Sequence, residues 1–79
     1  MARIIKVDGT SEEIENMSFA DMQAAVGGYV AVINLPKGKI LVVDEDGLPK
    51  QKPINVTAST IAGQMIVGDV VLANQGDIK

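Results

Sequence analysis

The chain has 79 residues, a formal net charge of −3 and a pI near 4.6, with 47% hydrophobic and 22% charged residues and a mean hydropathy of +0.23. The length allows one small domain, the composition is globular, and the acidic balance makes a long polyanion such as duplex DNA a poor partner. Cysteine and histidine are absent, which removes disulfides, Cys/His zinc sites, thiol nucleophiles, imidazole bases and every triad that needs a histidine.

Residues 3–8 read as a strand with Ile5 and Val7 on one face and Ile4 on the other. Asp8-Gly9 is a hairpin turn signal, and residues 10–15 make the returning strand, whose Glu12, Glu13 and Glu15 mark a solvated edge. Residues 17–28 predict a helix. Ser18 is the N-cap, Asp21 completes a capping box, and Met17 and Met22 have the spacing of a hydrophobic staple. Phe19, Met22 and Val26 form one apolar stripe, and Gly27-Gly28 stops the helix. Residues 29–35 and Lys39–Asp44 predict a hairpin around the turn Pro36-Lys37-Gly38. Its second strand is apolar without a break over 40–43, as in a strand buried on both faces. Glu45-Asp46-Gly47 is a turn, and residues 48–53, with two prolines, an extended loop. A short strand over 54–56 follows, then a single helical turn over 57–62 stopped by Gly63. A last strand over 65–74 is bent at Gly68, and 75–79 is a tail.

Ten Val and nine Ile against four Leu favour strands. The predicted fold class is therefore α+β: a small, mostly antiparallel, twisted or barrel-like sheet of four to six strands with one short helix packed on it. A chain of this mass has a folded surface of about 4,600 Å² against about 12,000 Å² extended, so about 60% of its surface is buried, which is marginal without disulfides. Together with the high apolar content this predicts a homo-oligomer, dimer or higher. The longest apolar runs, 29–33 and 40–43, fall far short of the roughly 20 residues that span a membrane, and the first six residues have no apolar signal core. The expectation is a cytoplasmic protein without membrane contact.

Three segments invite a chemical reading. Asp44-Glu45-Asp46-Gly47 opens like a calcium loop, but glycine comes at the fourth position and Asn55, not glutamate, at the twelfth. It reads instead as an exposed acidic turn, in which nothing raises a carboxylate pKa for acid–base work. Gly27-Gly28 either presents backbone N–H groups to an anion or simply ends the helix. Tyr29, the lone tyrosine, either stacks on a base or fills the core. The polar stretch from Lys50 to Thr60 offers Lys50 and Lys52 to phosphates and Asn55, Thr57, Ser59 and Thr60 to sugar or base edges. Alternatively it is a solvated connection capped by Thr57 or Ser59. With only Phe19 and Tyr29 as aromatics, a nucleic-acid stacking platform has no basis.

The strings FADMQAAVGGYVAVINLP, ILVVDEDG, INVTA and IVGDVVLA, which together span most of residues 19–73, resemble a family of small proteins encoded mainly by phages and mobile elements. Its pattern is a helix ending Val-Gly-Gly-Tyr-Ile, a hairpin ending Asn-Glu-Glu-Gly, a Leu-Pro-x-Asn-x-x-Ala segment and a closing Gly-Asp-Val/Ile-Val-Leu strand. Asp44 stands where the family usually has asparagine, and extra residues separate Leu48-Pro49 from Asn55. Some phage proteins of this style are sponges that sequester the nucleotide messengers of bacterial immunity, typically in pockets between protomers. The resemblance implies such a role here: a non-enzymatic anti-defence protein in the host cytoplasm that binds a cyclic-nucleotide or cyclic ADP-ribose-type signal. No cofactor and no metal are expected. The chemistry of such a ligand selects Gly27, Gly28, Tyr29, Lys50, Lys52, Asn55 and Thr57 as contacts, with Tyr29 and Lys52 serving binding and not the fold. The alternative is an acidic protein–protein module that inhibits a host enzyme, although a charge of −3 is low for a DNA mimic. A messenger hydrolase would need a general base, and only carboxylates are on offer.

Overall fold

A computed structural model describes residues 2–15, 18–74 and 76. Among them, Ala2–Ile5 (β1), Ser11–Ile14 (β2), Val30–Asn34 (β3), Lys39–Asp44 (β4) and Val70–Asn74 (β5) form one antiparallel sheet. The strand order is β2-β1-β5-β4-β3. Two helices, Phe19–Val26 (α1) and Val56–Ala62 (α2), accompany it, and a 3-10 turn at Pro36–Gly38 joins β3 to β4. The α+β class and the antiparallel sheet are as the sequence predicts; the second helix is an addition.

The central strands explain the arrangement. Alternate residues of a strand face opposite sides. In β4 and β5, Ile40, Val42, Val71 and Ala73 pack with Met22 and Val26 of α1. Leu41 and Val70 pack on the other side with Ile5, Ile66 and Ala58 of α2. The unbroken apolar run over 40–43 is thus a strand with a helix on each face. The segment over 57–62, expected to be a single turn, is instead the element that covers the second face.

Local chemistry sets the element ends. Ser18 and Asp21 form the expected capping box, with both hydrogen bonds at 3.1 Å. The staple partner Met17 lies outside the described residues, as does the predicted tail apart from Gly76. The apolar stripe of α1 loses one member: Phe19 is 42% exposed. A helical side chain leans over the turn that precedes it, and at the first helical position there is none. The first strand stops at Ile5, not Asp8, because the Val7 N–H turns to the Asp69 carboxylate, at 3.0 Å.

The second half departs further from expectation. No strand runs over 54–56; Ile54 makes an isolated bridge to Val67, and Val56 already opens α2. The cap of α2 is Asn55, not Thr57 or Ser59: its side-chain oxygen accepts from Ala58 N–H at 3.0 Å. The Asn55 amide donates to the carbonyls of Ile5 and Gly68, each at 2.9 Å, and the residue has no exposed surface. The last strand begins at Val70, not at residue 65, because Gly68 takes a left-handed φ of 77° and donates to Pro53 O at 2.8 Å.

Asn55 therefore joins β1, α2 and the approach to β5 by three buried hydrogen bonds. Asn55→Ala strands all three partners, and a buried unpaired polar group costs about 1–3 kcal/mol. The expected loss is at least about 3 kcal/mol in urea unfolding, a large part of the stability of so small a domain.

Candidate functional site

Asp44 is the last residue of β4 and shares the face of Ile40 and Val42, toward α1. Its carboxylate is fully buried beneath the C-terminal end of that helix. Lys52 Nζ lies 2.6 Å and Lys50 Nζ 3.1 Å from Asp44 Oδ2, and the Asp46 N–H donates to Oδ1 at 2.9 Å. The same ammonium groups reach the end of α1: Lys52 donates to Val26 O at 2.5 Å and Lys50 to Gly27 O at 3.5 Å. Two cations thus face a carboxylate and the negative end of a helix dipole, and the charges nearly balance. Gln51, in a left-handed conformation with φ 56°, turns the chain between the two lysines.

This corrects two expectations. The acidic turn is not uniformly exposed: Glu45 and Asp46 are, but Asp44 is buried. Lys50 and Lys52 are not free on a loop but committed to internal partners. Burial is the largest single influence on the Asp44 carboxyl and pushes its pKa up. Hydrogen bonds from Lys52, the Asp46 amide and Lys50, with the Lys52 charge, outweigh it and bring the pKa from 3.8 down to about 2. A carboxylate so stabilised is a poor general base.

The Gly27-Gly28 pair ends the helix. Gly27 adopts φ 83°, and both N–H groups donate back to Gln23 O, at 2.9 and 3.2 Å. They are spent, and a helix C-terminus repels anions, so the pair is no anion cradle. At Gly28 a Cβ would stand 2.7 Å from Lys50 Nζ, so a larger residue there would displace that ammonium group.

Two clefts flank this cluster. One, of about 510 Å³, is lined by Gln23, Ala24, Gly28, Tyr29, Asp46 and Lys50. The other, of about 360 Å³, is lined by Val7, Ala25, Val26, Gly27, Lys52, Pro53, Gly68 and Asp69. Gly28, Tyr29 and Lys50 therefore meet in one cleft, and Gly27 and Lys52 in its neighbour. Asn55 is in the core, and Thr57 lies on α2, across the sheet from α1. Tyr29 is 72% exposed, so it does not fill the core. The sequence reading omits Gln23, which the helix places beside the glycine pair, and sets Asp44 on an exposed turn, although its alternation with Ile40 and Val42 points inward.

The fold and its clefts define a small α+β protein with a helix on each face of one antiparallel sheet. The chain belongs to the family described as a domain of unknown function (DUF3846), whose model matches residues 1–78. No curated protein matches the chain. No solved structure matches it either. Among the described residues no helix is long and apolar enough to cross a membrane.

The Asp44 cluster makes stability depend on acid pH. Its folded-state pKa of about 2 lies below the ordinary 3.8, so the ionised carboxylate stabilises the fold above about pH 4 and the gain is lost as pH falls toward 2. Unfolding free energy measured across this window should fall in the parent and flatten in Asp44→Asn. Lys52→Ala removes the shortest ion pair of a buried carboxylate. It should cost about 1–2 kcal/mol in stability, less than a fully unpaired charge because Lys50 remains.

Proposed function

We propose that the protein binds a nucleotide-type small molecule, a cyclic-nucleotide or cyclic ADP-ribose-type immune signal, and sequesters it without chemistry. The observation that carries this reading is Tyr29, 72% exposed in a cleft of about 510 Å³ with Gln23, Asp46 and Lys50. An exposed phenol ring offers a purine a stacking face worth about 1–3 kcal/mol. The Gln23 amide both donates and accepts, and the Asp46 carboxylate accepts from ribose hydroxyls or exocyclic amines. Lys50 spends N–H groups on Asp44 and Gly27 and has a third for a phosphate. Gly27, Lys52, Asn55 and Thr57 drop out of the contact set: the first three are engaged internally and the fourth is on the other face.

The resemblance of the helix–Gly-Gly-Tyr block to phage-encoded proteins supports an anti-defence role in the host cytoplasm, with the protein acting as an oligomer. The low pKa and filled hydrogen bonds of Asp44 speak against a hydrolase. The acidic inhibitor alternative rests on the exposed Glu12 and Glu13 of β2, a smaller basis than a cleft with an aromatic wall.

The test is depletion and release. The protein is incubated with cyclic mono- and dinucleotides and cyclic ADP-ribose variants, separated by filtration, and heated; the released compound is identified by mass spectrometry. Intact release supports sequestration, a converted product establishes an enzyme, and no depletion overturns the proposal. Tyr29→Ala should weaken binding at least about tenfold, a loss of about 1.4 kcal/mol, with an unchanged melting curve.

A further inference from the structure

We propose that β3 is the contact through which two copies of the chain pair, edge to edge, about a twofold axis at Val32. The pairing names the interface of the oligomer proposed above; it rests on that oligomeric reading and not on the identity of the ligand.

The two edges of the sheet differ. The outer strand β2 reads Ser-Glu-Glu-Ile, and its carboxylates discourage a further strand. The opposite outer strand β3 reads Val-Ala-Val-Ile-Asn. It carries no charge and no proline, and no other described strand pairs with its outer side.

The backbone of β3 is arranged for self-pairing. Leu35 N–H donates to Lys39 O at 2.8 Å, and Glu45 N–H to Tyr29 O at 2.9 Å. Bonded pairs alternate along an antiparallel ladder. The odd-numbered residues from Tyr29 to Leu35 therefore bond toward β4. Val30, Val32 and Asn34 direct their N–H and C=O groups the other way, to the open edge. A twofold axis at Val32 sets Val32 against Val32 and Val30 against Asn34 of the partner. Every pair in that register exchanges both bonds, so all the outward groups are satisfied at once. Registers shifted by one residue along either strand present inward-directed groups instead.

Side chains and charges agree with the register. Val32, 47% exposed, meets its own symmetry mate, and β-branched cross-strand pairs are favourable. The sheet register places Asn34 beside Ile40, next to Lys39, and Val30 beside Asp44, next to Glu45. One end of the edge thus carries Lys37 and Lys39, and the other the exposed carboxylates of Glu45 and Asp46, with Lys50 there paired to the buried Asp44. An antiparallel twofold sets the basic end of one protomer beside the acidic end of its partner. It also brings Lys37 to the partner end that holds Tyr29 and the Lys50 cleft, where a ligand with two phosphates needs a second cation. That last consequence alone rests on the nucleotide reading.

The test is mass in solution at tens of micromolar protein, by light scattering on a sizing column and by sedimentation. The expected value is twice the 8.3 kDa of the chain. Val32→Lys sets like charges opposite each other across the axis and should weaken association about a hundredfold. Val32→Pro removes an N–H that points away from β4, so it should give a folded monomer. Ser11→Lys, on the β2 edge, should leave the dimer intact. Folding of each variant is read from circular dichroism and melting. A parent that runs as a monomer overturns both the pairing and the oligomeric reading. A dimer that survives both Val32 variants, or one that Ser11→Lys abolishes, overturns the β3 interface alone. Either result leaves the ligand assay to stand or fall by its own readout.

Discussion

The buried carboxylate of Asp44 is the interaction on which the rest of this small structure depends. It sits where three parts of the chain converge: the end of β4, the end of α1, and the segment that carries Lys50 and Lys52. A helix of eight residues is marginal in water, and α1 has no basic residue in its last turn to offset its dipole. The compensating cations come instead from lysines 23 and 26 residues further along the chain. A buried charge is costly unless it is paired and hydrogen-bonded. Here every demand is met: two ammonium groups, one amide N–H and two helix carbonyls form one connected set.

The sheet imposes the second constraint. Its central strands are apolar on both faces, so both must be covered, and among the described residues two short helices do it. Each helix contributes few core side chains: Met22 and Val26 from α1, Ala58 from α2. All are aliphatic or sulfur-containing, and both aromatics, Phe19 and Tyr29, lie outside the core. The folded surface of 4796 Å² is close to the ordinary value for this mass. The acidic residues protect β2, and no described strand pairs with the outer side of β3.

How much of this was legible in the sequence follows from the range of the interactions involved. The capping box, the Asp8-Gly9 hairpin and the β3–β4 hairpin depend on residues a few positions apart, and local spacing reveals them. The two-sided burial of β4 shows as an unbroken apolar run. For Asp44 the string Asp-Glu-Asp-Gly has the composition of a solvated turn, and its two lysine partners lie beyond that turn. Only its alternation with Ile40 and Val42 pointed inward. Asn55 was misread for a related reason. In a stretch with two prolines and two lysines just before it, it looks like loop, yet asparagine is a favoured residue at a helix N-cap. Its bonds to Ile5 and Gly68, 50 and 13 residues away, have no signature in the sequence.

The same distinction separates residues that hold the fold from residues free to recognise something else. A polar group whose hydrogen bonds are complete inside the chain has little left to offer a ligand. Asn55, Lys52 and the Gly27-Gly28 amides are of this kind, although their residue types look like binding chemistry. Gln23, Asp46, the exposed ring of Tyr29 and the outer side of Lys50 are not so engaged, and they share one cleft. That cleft opens beside the start of β3, the edge whose outward backbone groups no other described strand meets. Recognition capacity and pairing capacity thus collect at one end of one strand. The reason is geometric: the Asp44 cluster at the α1 terminus holds Lys50 and Lys52 on a buried carboxylate, while Tyr29 beside it keeps its ring exposed.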